Sequence, residues 1–292
     1  MPLCQVILAW TNLGKDNAGK RAQWWLKKLN EHYEMEHDER LRLSVTACNA
    51  VIKALVKVGQ VKEAEKVLVD MMHSENNEKI PFLKPNSESF AMVIHAWLKL
   101  DAKESEEFTP VDLCGRAVEW LDELVRREEA GTYGVTTSPE LFDGVLKAAS
   151  KFADVHPEIL DLAITTLEKY RASRHRVDCM AYVWLLEAGI KAFGTPEFDK
   201  TRFDFIQLMR DCCHDGLLSN KFVQTLANGP VYYDGWTRGK SALITKELFP
   251  DWPLPPEWYR NLPHDYYIPT RKDFRRNNQN VNLRDQSMRS ES

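Results

Sequence analysis

The sequence predicts an all-α solenoid of about five helix-turn-helix repeats with an irregular C-terminal cap. Two observations predict it. A four-residue phrase recurs five times: VILA from Val6, VIKA from Val51, VIHA from Val93, VLKA from Val145 and LLEA from Leu185. Its alanines are Ala9, Ala54, Ala96, Ala148 and Ala188, at intervals of 45, 42, 52 and 40 residues. A recurring unit of that length marks a repeat architecture, in which each unit buries its apolar face against the next. A second phrase, A-x-x-x-L, follows each of the first four: Ala22/Leu26, Ala64/Leu68, Ala117/Leu121 and Ala163/Leu167. Four residues make about one helical turn, so Ala and Leu share a face.

Each unit is therefore two helices, the first carrying V-I-x-A and the second A-x-x-x-L. Alanine in both lets two backbones approach closely, and larger residues fill the space between units. The first unit starts at once with MPLCQVILAW, without a helix cap, so its first helix begins midway and we expect the natural chain to extend upstream. The second unit reads CNAVIKALVKVGQVKEAEKVL, with Gly59 where its first helix should stop. Polar runs with breakers, HSENNEKIPFLKPNS and AGTYGVTTSP, separate later units and explain the uneven intervals. The fifth unit pairs AYVWLLEAGIKAF with EFDKTRFDFIQLMRDCC, which lacks the alanine. The repeats thus span 1–220. Residues 221–269 read as a cap: KFVQTLA is a short apolar helix, and 230–269, rich in aromatics and proline, is an extended cover. Residues 270–292 are polar and read as a disordered tail.

Composition narrows the class. Of 292 residues 43% are hydrophobic and 28% charged, and no apolar stretch is long enough to span a bilayer. The formal net charge of -4 argues against a generally basic nucleic-acid binder. Six cysteines (Cys4, Cys48, Cys114, Cys179, Cys212 and Cys213) lack C-x-x-C spacing, which points to reduced thiols rather than a disulfide framework or zinc site. The N-terminus shows neither a secretory signal nor the Arg/Ser-rich look of a transit peptide.

One strip of the first helix is a candidate binding face. Asn49, Lys53 and Lys57 lie at i, i+4 and i+8, away from Val51, Ile52 and Leu55. The equivalent positions are Ala91, His95 and Lys99; then Asp143, Lys147 and Lys151; then Val183, Glu187 and Lys191. The last member is lysine each time. Stacked units would set Lys57, Lys99, Lys151 and Lys191 in a row, which suits a polyanion such as a nucleic-acid backbone. The plainer reading is that lysine near a helix C-terminus complements the macrodipole, an effect of about 0.3–1 kcal/mol. Lys53 and Lys147 join the phosphate-binding candidates.

The unit SVTACNAVIKALVKVGQVKEAEKVLVDMM with KPN resembles a pentatricopeptide repeat. Val45, Thr46, Asn49, Ile52, Ala54, Lys57, Gly59, Ala64, Leu68, Met72 and Pro85 match that family's pattern, with Asn86 at its terminal Asp and Cys48 at its usual Tyr. Phe90, Phe142 and Tyr182 supply the aromatic in later units. Long insertions and the A-W endings of ILAW and IHAW depart from the compact motif. Tetratricopeptide repeats share the helix pair but usually carry Gly and Tyr in the first helix, which are absent here.

The resemblance implies a right-handed superhelix that binds single-stranded RNA, about one nucleotide per repeat, read by two or three side chains. Carried over residue by residue, the reading pairs are Cys4 with Ser44, Asn49 with Asn86, Ala91 with Ser138, Asp143 with Asp178, and Val183 with Asn220. The base-reading candidates are Asn49, Asn86, Asp143, Asp178 and Thr46, and Asn49 with Asn86 is a pair that favours a pyrimidine in the family. Ala91 and Val183 cannot hydrogen-bond a base through their side chains. The family's phosphate-contacting lysine falls on the four row positions. The resemblance further implies non-catalytic work in organelle RNA processing, stability or translation, in a mitochondrion or plastid, with proteins of an RNA-processing or ribosomal assembly as possible partners.

No enzyme is legible. HPE at His156 to Glu158 lacks the C-x-x-C that a zinc deaminase needs, and with Pro157 it reads as a helix start. Cys212, Cys213 and His214 are adjacent and ill placed to surround one metal. No Walker loop or G-x-S-x-G occurs. We expect no cofactor, no metal and no membrane partner. The alternative reading is a protein–protein scaffold using the same face.

Overall fold

A computed structural model describes residues 9–10, 18–36, 44–75, 83–100, 107–193, 195, 203–219, 221–222 and 225. Among the described residues the fold is all-helical, with α1 (Ala18–Glu36), α2 (Val45–Lys57), α3 (Val61–Glu75), α4 (Ser87–Lys99), α5 (Pro110–Glu129), α6 (Pro139–Phe152), α7 (Ile159–Ala172), α8 (Cys179–Phe193) and α9 (Phe205–His214). The chain forms two compact units, residues 1–148 with 168–175, and 149–167 with 176–292. Most of the VILA phrase, the cover at 230–269 and the tail at 270–292 lie outside the described residues, and of the cap at 221–269 only 221–222 and 225 are described.

Each helix starts and stops for local reasons. Ser44 caps α2, its hydroxyl accepting the Ala47 N–H at 3.1 Å. Asn86 caps α4 in a capping box with Ser89. Thr109 caps α5 in a box with Asp112, and Pro110 occupies the first turn, where its missing N–H costs nothing. Helix α2 ends at Gly59, whose φ of 73 is open to glycine. There the Gly59 N–H donates to the Val56 carbonyl at 3.1 Å and the Gln60 N–H to the Leu55 carbonyl at 2.9 Å, a Schellman ending.

The two repeated phrases supply the core. Val51/Ile52, Val93/Ile94, Val145/Leu146 and Leu185/Leu186 are all buried. So are Ala54, Ala96, Ala148 and Ala188 of the first helices and Ala22, Ala64, Ala117 and Ala163 of the second. Burying each large apolar side chain contributes about 1.5–3 kcal/mol, and Trp97, Phe90 and Phe142 are among the largest fully enclosed.

In the first unit, α2 packs on α1, α3 and α4, and α4 packs on α3 and α5. Helices of the same rank also touch. Among first helices, a Cβ on Gly144 of α6 would lie 3.0 Å from Leu98 of α4. Among second helices, Gln23 of α1 donates to Glu63 of α3 at 3.3 Å. Glu65 of α3, only 7% exposed, accepts from Arg116 and from the Trp120 indole N–H of α5. Lys169 of α7 pairs with Asp122 of α5. Glu128, at the end of α5, accepts the Thr137 N–H at 3.0 Å and meets Arg174 at 2.8 Å. Burial works to raise its carboxyl, but the Thr137 bonds, Arg174 and His175 together hold it below the usual carboxylate range.

In the second unit α8 packs on α9. Gly189 makes this possible, because a Cβ there would come within 2.3 Å of the Phe203 ring. Phe203 meets Phe205 edge-on, with centroids 4.6 Å apart. The Tyr182 hydroxyl donates to Asp215 just past α9. Cys212 and Cys213 are buried, and burial pushes the Cys213 thiol up to about 12, so it stays protonated.

Candidate nucleic-acid interface

The strip on the first helices changes character along its length. Its N-terminal members are sunk: Asn49 is 5% exposed and Val183 is fully buried, while Ala91 and Asp143 are half-buried. Its middle members are mixed, with Lys53 and Lys147 exposed and His95 and Glu187 half-buried. Its C-terminal members, Lys57, Lys99, Lys151 and Lys191, are all exposed. Thr46 is exposed in the first turn of α2. Eight residues carry a side chain about 80° past two full turns, so the strip rolls from core to surface.

The structure brings Asn49 and Asn86 together. The Asn49 side-chain amide donates to Asn86 Oδ1 at 3.2 Å and to Glu88 Oε2 at 3.3 Å. The Ser89 hydroxyl donates to Asn49 Oδ1 at 2.7 Å. Asn86 Oδ1 also accepts the Ser89 N–H at 3.1 Å, the bond that caps α4. Both donors of the Asn49 amide and its oxygen are thus occupied by the protein. The expectation that this amide stands free on a face opposite the core is corrected: it is a buried staple between α2 and the start of α4. Ser89 and Glu88 complete the staple and were not singled out in the sequence, although N-S-E-S before an apolar run is a helix-start pattern.

The other described second members of the reading pairs also sit at helix starts. Ser44 caps α2. Asp178 accepts the Met180 N–H at 2.8 Å at the head of α8. Ser138 immediately precedes Pro139, the first residue of α6. Cys4 and Asn220 lie outside the described residues. Asp143 and Asp178 belong to different compact units, and each is placed within its own.

The lysines differ in what they do. Lys191 donates to the Ser150 carbonyl in the last turn of α6, satisfying one of the end carbonyls of that helix. Lys151 lies 4.8 Å from the centroid of the neighbouring Phe152 ring. Lys53, Lys57 and Lys99 extend into solvent on α2 and α4, which pack side by side. Beside Lys99, burial pulls the His95 imidazole below its ordinary value. Lys99 adds to the shift and Glu140 opposes it, so the ring is neutral at pH 7. The face therefore presents fixed ammonium charges.

Among the described residues, no group of three His, Cys, Asp or Glu could hold a metal ion, and no helix is long and apolar enough to cross a membrane. His156 and Glu158 meet at 3.3 Å on the turn that leads into α7. No family model, no curated protein and no solved structure matches the chain.

Proposed function

We propose that this chain is a pentatricopeptide-type helical-repeat protein that binds single-stranded RNA without catalysis, in mitochondrial or plastid RNA processing, stability or translation. Its helix pairs continue as a right-handed solenoid, and the RNA lies along the first helices. The observation that carries the reading is the recurrence of an exposed lysine at one register of four first helices: Lys57, Lys99, Lys151 and Lys191. Backbone phosphates supply the affinity. Because the Asn49 amide is consumed within the fold, base choice at that repeat is weak.

The test is filter binding of homopolymer RNAs at two salt concentrations. The comparison is wild type against Lys57→Glu/Lys99→Glu/Lys151→Glu. Lys191 is left intact because it holds the end of α6. Each phosphate that the variant no longer neutralises should reduce the single-strand salt slope by about 0.7, with a sharp fall in affinity. Unchanged affinity and slope would leave the lysines as helix-end residues and favour the second reading, a protein–protein scaffold. That reading draws its support from the burial of Asn49 and Val183, which withdraws two of the base-reading positions from any ligand.

A further inference from the structure

The first unit also carries a cleft beside its second helices. It opens between α1 and α3, with a volume of about 700 Å³, which lies in the range of small-ligand sites. The Gln23–Glu63 bond ties the two helices and fixes which residues face each other. Its floor is apolar, made by Val67 and Met71, each at most 2% exposed. Its wall is Trp24, whose side chain sits on an ordered helix in a residue 53% exposed, braced by Trp25 edge-on at 5.0 Å. A large aromatic left half open to water forgoes much of its burial energy, so its face is available to a planar partner.

The charges around the ring are mainly positive. Lys20 and Lys27 flank Trp24 on α1, and Lys66 faces it from α3, all three exposed. Two acids share the cleft. Glu31 is held by Lys28 at 2.7 Å, which offsets its charge. Asp70 is exposed, and the neighbouring protein raises its carboxyl by desolvation against the pull of Lys66 and His73. An aromatic platform ringed by ammonium groups over an apolar floor fits a flat ring that carries an anion.

We propose that this cleft binds a nucleobase bearing a phosphate, with the base stacked on Trp24 and the phosphate held by Lys20, Lys27 and Lys66. The ligand is either a free nucleoside monophosphate or one nucleotide of a single-stranded RNA. The site is separate from the lysines of the first helices and does not rest on their role. Stacking is tolerant of base identity, because every base presents a π-face, while the ammonium groups demand the phosphate.

The test uses the full chain. Uridine and adenosine, each as nucleoside and as monophosphate, are titrated by calorimetry, and labelled eight-nucleotide U and A oligomers by fluorescence anisotropy. Four proteins are compared: wild type, Trp24→Ala, Trp24→Phe and Lys20→Ala/Lys27→Ala/Lys66→Ala. Circular dichroism and thermal melting check that each stays folded. Trp24→Ala should weaken binding about tenfold or more, the effect of removing one stacking platform, and Trp24→Phe should restore most of it. The triple lysine variant should abolish the preference for the monophosphate over the nucleoside. Binding by both ligand forms assigns the site to free nucleotide; binding by the oligomer alone, still dependent on Trp24, assigns it to RNA. The Lys57→Glu/Lys99→Glu/Lys151→Glu variant should leave monophosphate binding unchanged, so failure of the row and failure of the cleft are told apart. No binding of either form by wild type, or equal affinities for wild type and Trp24→Ala, would overturn the proposal.

Discussion

Helices α2 and α8 occupy the same rank in the repeat, yet they solve one position in opposite ways. In α2 the residue is Asn49, buried and held by Asn86, Glu88 and Ser89. In α8 it is Val183, buried with no polar group to satisfy. A motif position that reads as a contact point is in these two helices an inward-facing one, filled by an amide in α2, where the next helix start supplies partners, and by a hydrocarbon in α8.

Forcing the polar solution onto the apolar site should have the largest effect. Val183→Asn places an amide at a fully buried position lined by apolar neighbours of its own helix such as Leu186. It should cost about 2–3 kcal/mol, the penalty of burying an unsatisfied polar group. Urea unfolding followed by circular dichroism checks it, and a change in stability below the experimental error would show that α8 offers hidden partners.

The reverse change should be milder. Asn49→Ala removes one partner from Ser89, which can still turn its hydroxyl to Asn86 Oδ1 at 2.9 Å, so about 1 kcal/mol is expected. Asn49→Val installs the α8 residue and leaves the Ser89 hydroxyl in place to accept the Asn86 N–H of the capping box, and it should be closer to wild type than Asn49→Ala, because the larger side chain fills more of the vacated space. If Asn49→Val is the less stable in the same urea assay, the amide network does more than satisfy itself.

The smallest effect concerns the next position along the strip, His95 in α4 against Glu187 in α8. The folded protein holds the His95 pKa below its ordinary value, with burial as the main cause. The unfolded chain therefore takes up the proton first as pH falls. Stability is full above the unfolded value, declines as pH drops below it, and levels off once the folded ring is also protonated. His95→Gln cannot titrate and should show a flatter profile between about pH 7.5 and 5.5, the span around the ordinary imidazole value. Parallel profiles for wild type and variant would remove His95 as a source of acid sensitivity.

The helix pairs were legible because their signal is chemical and repeated. Small alanines at fixed spacing point to close backbone approach, and four of the five first-helix alanines and all four second-helix alanines are buried, whereas Ala9 of the first phrase is exposed. Gly59 announced the end of α2, and its positive φ is the reason. The burial of Asn49 was not legible. From one helix, an i, i+4, i+8 strip looks like a single face, and the roll of about 40° per four residues decides which end turns inward only once the neighbour is placed. The partners that make burial tolerable lie 37 to 40 residues away. The cleft beside Trp24 was hidden for the same reason. Lys20, Trp24 and Lys27 share a face of α1 in the sequence, but Lys66 joins them only through the pairing of α1 with α3.

Asn86 performs two tasks with one oxygen: it accepts the Ser89 amide that starts α4 and the Asn49 amide that arrives from α2. Nucleating a helix is the costly step in its formation, and here that step is tied to the presence of an adjacent helix. Fraying of the first turn of α4 therefore also breaks a bond to α2. At this joint a few polar atoms add to the apolar interface in coupling the opening of one repeat to that of its neighbour.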